Sequence, residues 1–124
     1  MKRDWDVIRE VLFEIEGLSR QDQYTFAYTA DPNGSPEMLK KAEHVFLLHD
    51  AQYLNGFAAK YVDNTPWQFK QPSLTWAGHD LLETIRSDVV WNKIKSTART
   101  KGIELTFDAV KALGKLALDW AIAN

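Results

Sequence analysis

The stretch Leu74-Thr75-Trp76-Ala77-Gly78-His79-Asp80-Leu81-Leu82 decides the fold of this chain, because it turns the end of a predicted strand directly into a helix. Thr75 is a good N-cap residue, since its hydroxyl can accept a hydrogen bond from an unpaired amide of the first helical turn. Five residues then recur at helical spacing and form one face of that helix. These are Gly78, Leu81, Leu82, Ile85 and Val89. We expect the preceding elements to dock on this face and the rest of the chain to be helical.

The composition predicts one domain with its own core. The chain has 124 residues, of which 45% are hydrophobic and 12% aromatic, enough for a core without metals or disulfides. The absence of cysteine excludes disulfides and thiolate metal sites. The N-terminus shows no apolar signal core and no run is long enough to span a membrane, so we expect a cytoplasmic protein with no membrane partner. A net charge of −2 does not by itself indicate a nucleic-acid partner.

Two elements are expected before the first turn signal. Apolar residues at three- and four-residue steps predict a helix from about Asp4 to Glu16, ended by Gly17. The aromatic and β-branched segment Tyr24–Thr29 predicts a short strand. Residues 31–34 have the composition of a turn.

A second helix begins at Pro36, with Ser35 as its N-cap, and runs to about Leu54. On a helical wheel its inner face comprises Leu39, Ala42, Phe46 and Tyr53, and its outer face comprises Glu37, Lys40, Lys41, His44 and Leu48. Glu43 and Asp50 fall toward the inner arc, which one straight helix does not explain. A break near Glu43-His44, giving two shorter helices, is the alternative.

A wing-like hairpin is predicted next. Phe57–Val62 and Ser73–Trp76 are the strand candidates, and the Pro-punctuated segment Asp63–Pro72 is the loop between them. Trp67 and Phe69 would then sit in this loop.

The apolar pattern changes after Ser87. Val90, Trp91, Ile94 and Ala98 lie on a different side of the wheel, so either the helix kinks or Ser87 caps a separate helix. Gly102 ends this region and Thr106 caps a last helix. The predicted fold is therefore α+β: one domain, with a winged-helix-like unit (helix–strand–helix–β-hairpin) over about residues 1–86 and two C-terminal helices over about residues 87–124.

Three blocks of sequence resemble an uncharacterised family of bacterial and phage proteins, domain of unknown function 2513. They are Met1–Arg9, His44–Ala51, and Leu74–Leu82 continued by Ile85-Arg86 and Trp91-Asn92-Lys93. The resemblance implies a winged-helix type of fold, common in phages and prophages, with no settled activity. Gln52 stands where the family usually has Gly, and residues 19–36 diverge, so the end of the middle helix departs from the family pattern.

No catalytic constellation emerges from the chain. His44 and His49 are five residues apart and fall on different sides of a helix, so they do not form the i, i+4 pair of a zinc helix. His79 lies in the first turn of its helix, where a structural role is the simplest interpretation. There is no Gly-rich phosphate loop and no Gly-x-Ser-x-Gly elbow. We therefore predict a protein that is not an enzyme and has neither a metal nor a cofactor.

The first functional hypothesis is a small DNA-binding regulator of phage or prophage origin. The candidate contacts with double-stranded DNA are Lys40, Lys41, His44, Lys60 and Lys70. The first three lie on the outer face of the middle helix, where a winged helix would read a major groove, and the two hairpin lysines would meet phosphates. A merely solvated helix face is the competing interpretation, because acidic residues are interspersed.

The second hypothesis is a protein-interaction module, for example a phage accessory protein that docks on a host factor. Trp67 and Phe69 would contact that partner from the hairpin loop. Leu116 and Trp120 of the last helix would cover the core or form a homodimer interface. The family-motif residues Trp76, Gly78, His79, Arg86 and Trp91 are interpreted as core and junction residues, with Arg86 paired to an acid such as Asp88 or Asp6.

Overall fold

A computed structural model describes residues 1–123 and contains six helices and three strands in that range. The elements are α1 (Trp5–Glu16), α2 (Arg20–Thr25), β1 (Ala27–Thr29), α3 (Pro36–Asp50), β2 (Leu54–Lys60), β3 (Pro66–Leu74), α4 (Trp76–Ile85), α5 (Asp88–Lys101) and α6 (Phe107–Ala123). The predicted α+β class is confirmed, with helix, strand, helix and hairpin in a winged-helix-like order and two helices at the end. The chain forms two compact units, the first ending at His79 and the second beginning at Asp80.

The sheet of the first unit is antiparallel, with β3 between β1 and β2. Tyr28 and Ala58 both lie opposite Phe69, so these three side chains share one face. Helices α1 and α3 pack against the sheet, and Tyr28 and Phe69 are buried. The core of this unit therefore lies between the two helices and the inner face of the sheet.

The N-cap predicted at Ser35 is confirmed, and Asp4 is the N-cap of α1. The Asp4 carboxylate accepts hydrogen bonds from the amides of Asp6 and Val7 at the start of α1. The Ser35 hydroxyl does the same for the first turn of α3, with Pro36 at the first helical position. Both signals are local, because a capping side chain acts on amides two or three residues away.

Helix α3 is unbroken, so the two-helix alternative is excluded. It ends at Asp50 rather than near Leu54, because Gln52 adopts a left-handed conformation with φ of 68° and Leu54 already belongs to β2. The predicted outer face was wrong at two positions, since His44 and Leu48 are both completely buried. The reason is that α3 packs against α1 and the sheet together, which buries a wider arc than one neighbour would.

A short helix, α2, lies where part of a strand was predicted. The Ser19 hydroxyl accepts the amide hydrogen of Asp22 and caps it, so Tyr24 and Thr25 are helical and β1 begins only at Ala27. The aromatic and β-branched composition of residues 24–29 favoured a strand, and the nearby cap outweighs it.

The predicted loop at 63–72 was wrong, because most of it belongs to β3. The turn is much tighter: the Tyr61 amide donates to the Thr65 carbonyl and the Asn64 amide to the Tyr61 carbonyl, both at 2.9 Å. Pro66 is the first residue of β3, a position that proline tolerates in a strand. Gln71, with φ of 55°, precedes Pro72 at an irregular point of the strand. The prolines therefore mark the start and a distortion of a strand.

The strand-to-helix junction is confirmed as predicted. The Thr75 hydroxyl accepts a hydrogen bond from the Gly78 amide at 3.0 Å and donates one to the Gln52 carbonyl at 2.8 Å. A Cβ on Gly78 would overlap the Tyr53 carbonyl oxygen. The junction thus requires a hydroxyl at residue 75 and a glycine at residue 78.

Ser87 begins a separate helix in the second unit. Its hydroxyl accepts the Val90 amide hydrogen at 3.3 Å, so α4 and α5 are distinct helices and the predicted stripe stops at Ile85. Val89 was wrongly placed on that stripe, since it is exposed. Gly102, with φ of 64°, ends α5, and the Thr106 hydroxyl caps α6, which packs against α5.

Candidate nucleic-acid interface

The two lysines predicted to read DNA from α3 face α1 instead. The Nζ atom of Lys40 lies 2.6 Å from an oxygen of Asp4. The Nζ atom of Lys41 lies 2.6 Å from Glu14 and 3.1 Å from Glu10. Their charges are therefore opposed by carboxylates at or beside the neighbouring helix, and the placement of both side chains on a free outer face was wrong.

His44 is buried and both of its ring nitrogens are engaged. Nε2 accepts a hydrogen bond from the Asp4 amide at 2.8 Å, which assigns the proton to Nδ1, and Nδ1 donates to the Lys40 carbonyl at 2.7 Å. A completely buried imidazole with two intramolecular partners cannot reach a nucleic acid. The expected DNA contact of His44 was therefore wrong, and its role is to join α1 to α3.

The same helix pair holds a network of charged and hydrogen-bonded groups. The hydrogen bond from Lys40 lowers the pKa of the Asp4 carboxyl, and that from Lys41 to Glu14 raises the pKa of the Lys41 ammonium. The Tyr28 hydroxyl donates to Glu14 at 2.9 Å, and burial raises the pKa of Tyr28 far above its ordinary value. Each pKa shift favours the protonation state in which the group forms its hydrogen bond. The network therefore stabilises the fold, and its charges are not free to bind a ligand.

Lys70, in contrast, lies on the free side of the sheet, which we call the outer sheet face. This face carries the side chains of Phe57, Gln68 and Lys70. Phe57 lies directly opposite Lys70 on the neighbouring strand, and Lys60 lies opposite Pro66. Cross-strand partners have Cβ atoms about 5 Å apart. Phe57 is 66% exposed, although it is a large apolar side chain, so an aromatic ring stands in solvent opposite a lysine residue.

The charge of the outer sheet face is positive only. None of the three strands contains an acidic residue, and Lys60 and Lys70 are the charged residues in them. Both are exposed, and neither forms an ion pair within residues 1–123. This face therefore differs from α1, whose carboxylates oppose the lysines of α3.

The placement of Trp67 and Phe69 in a loop was wrong, because both belong to β3. Phe69 is completely buried, with the His49 ring centroid 4.8 Å from its own. Trp67 lies in β3 and stacks on Tyr61 at 6.0 Å. The exposed apolar side chains of the hairpin tip are Tyr61 and Val62. Neither these two nor Phe57 were predicted from the sequence, because the Asp63-Asn64 turn signal was merged into a longer loop.

The family-motif residues divide between core and surface. Trp91 is buried, and Gly78 makes the close approach described above, so the interpretation of both is confirmed. Trp76 lies at the junction as the first residue of α4, but it is 86% exposed and so is not a core residue, and the side chain of His79 is also exposed. Arg86 binds Glu83, with 2.7 Å between Nη2 and Oε1, and Glu83 was not among the acids expected from the sequence.

Residues 1–123 contain neither a metal-binding cluster nor a membrane-spanning helix. Over this range, no group of three or more His, Asp or Glu side chains is arranged to hold a metal ion. Every helix described is too short or too polar to cross a bilayer.

Comparisons with known proteins support the resemblance seen in the sequence. Residues 2–104 match the family described as "Hypothetical protein (DUF2513)". An "Uncharacterized protein" of Haemophilus influenzae is 31% identical over 123 residues, which cover 99% of this chain and 100% of the relative. No solved structure matches the chain.

Proposed function

Since the chain belongs to the family of domain of unknown function 2513, we propose its function from its geometry: it is a non-enzymatic module that binds nucleic acid through the outer sheet face. The observation that carries this proposal is the exposed Lys70 directly opposite the exposed ring of Phe57, with a second exposed lysine, Lys60, at the end of β2, on a sheet whose strands contain no acidic residue. A DNA-binding regulator of phage or prophage origin, inferred from the sequence, remains the finer form of the proposal.

The chemistry of this face fits a nucleic-acid strand. Ammonium groups neutralise phosphates and release counterions, while an exposed ring offers a surface on which a base can stack, worth about 1–3 kcal/mol per base. Phe57 and Lys70 are cross-strand neighbours, so one nucleotide can present its base to the ring and a phosphate to the ammonium. A stacked base must be unpaired, so we expect single strands to bind more tightly than duplexes.

The two lysines of α3 do not enter this proposal. A contact with phosphate would have to compete with the carboxylates of Asp4, Glu10 and Glu14. Duplex binding through α3, predicted from the sequence, is therefore replaced by strand binding through the sheet.

The experiment is fluorescence anisotropy with labelled single-stranded and duplex oligonucleotides across a salt series. The variant Lys60→Glu/Lys70→Glu should bind at least about tenfold more weakly. The slope of its log affinity against log salt concentration should become shallower by about 0.7 for each phosphate that is no longer neutralised. Phe57→Ala should weaken single-strand binding with little change in that slope.

The matched control is Lys2→Glu/Arg20→Glu, which makes the same charge change at exposed positions elsewhere. It should bind oligonucleotides nearly as the unaltered chain does. Equal binding by the two double variants, or no binding by the unaltered chain at low salt, would overturn the proposal.

A protein-interaction module is the second candidate function. It is favoured by the hairpin tip, where Tyr61 and Val62 are exposed, and a host protein with an apolar pocket would be the partner. Tyr61→Ser/Val62→Ser should abolish direct binding to such a partner, measured with both proteins purified, while leaving oligonucleotide binding unchanged. An unchanged affinity would exclude the tip as the docking surface.

A homodimer formed through α6 is a second way in which the chain could act as a protein-interaction module. Leu118 and Ile122 are one helical turn apart on α6 and both are exposed. In an antiparallel pair of α6 helices, Lys115 of each copy would come near Asp119 of the other, so charge complements the apolar stripe. Sedimentation equilibrium should show a dimer that Leu118→Glu/Ile122→Glu converts to a monomer. A monomeric unaltered chain would exclude this interface.

A further inference from the structure

A cleft opens between α5 and α6 in the second unit, and we call it the α5–α6 cleft. Its volume is about 390 Å³, within the range of small-molecule sites, about 300–1,000 Å³. It is lined by Lys93, Ser96, Thr97, Thr100 and Lys101 of α5 and by Leu113, Leu116 and Ala117 of α6. One helix therefore supplies polar groups and the other apolar ones.

The wall formed by α5 consists of hydrogen-bond donors without competing acids. Lys93, Thr97 and Lys101 follow each other at four-residue steps, so the two lysines lie about 12 Å apart along the helix axis. Within the described part of the chain, neither lysine forms an ion pair, and the Thr97 and Thr100 hydroxyls form no hydrogen bond. No carboxylate lines the cleft. This wall can therefore receive negative charge without displacing an existing carboxylate.

The wall formed by α6 is apolar and partly uncovered. Leu113 and Ala117 are buried, whereas Leu116 is 62% exposed. Beyond them the ring of Trp120 lies under the Lys93 ammonium, with Nζ 4.8 Å from the ring centroid. The cation–π contact places an ammonium at one end of an apolar strip.

We propose that the α5–α6 cleft binds an amphipathic organic anion, a medium-chain fatty carboxylate. Its carboxylate would accept hydrogen bonds from Lys93 and Thr97, and its alkyl chain would lie along Ala117 and Leu113 toward Lys101. The opposite orientation is less favourable, because Lys101 is in the last turn of α5, where the helix dipole repels an anion. The methylene groups of the Lys101 side chain would instead cover the end of the ligand's alkyl chain.

Isothermal titration calorimetry with decanoate below its micelle concentration tests the proposal, with decylammonium as the charge-reversed probe and acetate as the head group alone. Decanoate should bind, and decylammonium and acetate should bind at least about tenfold more weakly, since a charged hydrogen bond or the apolar burial is lost. Equal binding of decanoate and decylammonium would overturn the assignment of an anion site.

Variants locate the head group. Lys93→Glu should weaken decanoate binding by about tenfold or more, and Lys101→Glu by much less. Thr97→Val, which conserves shape, should weaken decanoate binding without unfolding the helix. It replaces Lys93→Glu as the test variant if Lys93→Glu does not fold. The matched control is Lys115→Glu, an exposed lysine of α6 that does not line this cleft.

Unchanged affinity for decanoate in both Thr97→Val and a folded Lys93→Glu would overturn the site. Oligonucleotide binding is measured on the same variants and should not change, because the outer sheet face belongs to the other unit. Failure of the cleft proposal is therefore distinguishable from failure of the sheet-face proposal.

Discussion

The Nε2 atom of His44, in the middle of α3, accepts a hydrogen bond at 2.8 Å from the backbone amide of Asp4, the N-cap of α1. The carboxylate of the same Asp4 also binds the ammonium of Lys40. Residues that the sequence suggested for DNA recognition thus hold the first helix against the third. The same lysines cannot easily serve both purposes, which is why the proposed interface moves to the sheet.

Replacing His44 by Ala should destabilise the protein. The change leaves the Asp4 amide without its acceptor and opens a cavity at a fully buried position. An unsatisfied buried donor alone costs about 1–3 kcal/mol, and the cavity adds to this. Urea unfolding should show a lower midpoint with an unchanged slope. His79→Ala, at an exposed histidine, is the control and should change the free energy of unfolding by about 0.5 kcal/mol or less. Equal effects of the two changes would contradict the structural role of His44.

The Lys40–Asp4 ion pair should make stability depend on pH in the acidic range. The hydrogen bond from Lys40 lowers the pKa of the Asp4 carboxyl below its ordinary value of 3.8 in the folded protein. A group with a lowered folded pKa stabilises the protein above its unfolded pKa, and this stabilisation is lost as pH falls through the folded value. Lys40→Met should therefore reduce the free energy of unfolding near neutral pH, by about 0.2–1 kcal/mol because the pair is partly exposed.

The measurement is urea unfolding of Lys40→Met and of the unaltered chain near neutral pH and again well below the ordinary pKa of the carboxyl. The difference between the two proteins should shrink toward zero at the acidic condition. Lys60→Met is the control, because Lys60 has no ion pair within residues 1–123, and its effect should not vary with pH over this range. A difference for Lys40→Met that persists in acid would exclude the ion pair as its cause.

The helix starts were predictable because their signals are local. Ser35, Thr75, Ser87 and Thr106 each accept an amide two or three residues away, so no knowledge of the tertiary fold is needed. The buried side of α3 was not predictable in the same way. Its inner arc is set by two neighbours, α1 and the sheet, and a helical wheel drawn for one neighbour put His44 and Leu48 outside.

The candidate interface was predictable only in part. Lys60 and Lys70 were recognised as hairpin lysines, but whether a lysine is free depends on which acids lie near it in space. Lys41 meets two glutamates that precede it by 27 and 31 positions, and no local pattern shows this. Phe57 was missed because the face of a strand residue depends on register, and the irregularity between Asn55 and Phe57 changes it.

Gly78→Ala should be strongly destabilising. The added Cβ would overlap the Tyr53 carbonyl oxygen, and because that atom belongs to the backbone, the junction between β3 and α4 must shift. Overpacking of this kind costs about 1–3 kcal/mol or more. Gly17→Ala is the matched control, since a Cβ there would lie an ordinary 3.4 Å from the Phe13 carbonyl oxygen and the backbone φ is −75°. Thermal unfolding followed by circular dichroism should show a large fall in midpoint for Gly78→Ala alone, and similar midpoints for both variants would contradict the close approach.

Thr75→Val should also weaken the junction, by removal of polar contacts rather than by overlap. Valine keeps the branched shape of threonine but can neither accept the Gly78 amide hydrogen nor donate to the Gln52 carbonyl. Loss of an N-cap costs about 0.5–2 kcal/mol, and the unpaired Gln52 carbonyl can turn to water at an exposed position, so we expect the total to stay near that range. Thr75→Ser retains the hydroxyl and should recover most of the lost free energy of unfolding in urea. If Thr75→Ser were as unstable as Thr75→Val, the methyl group rather than the two hydrogen bonds would account for the threonine at the point where the strand becomes a helix.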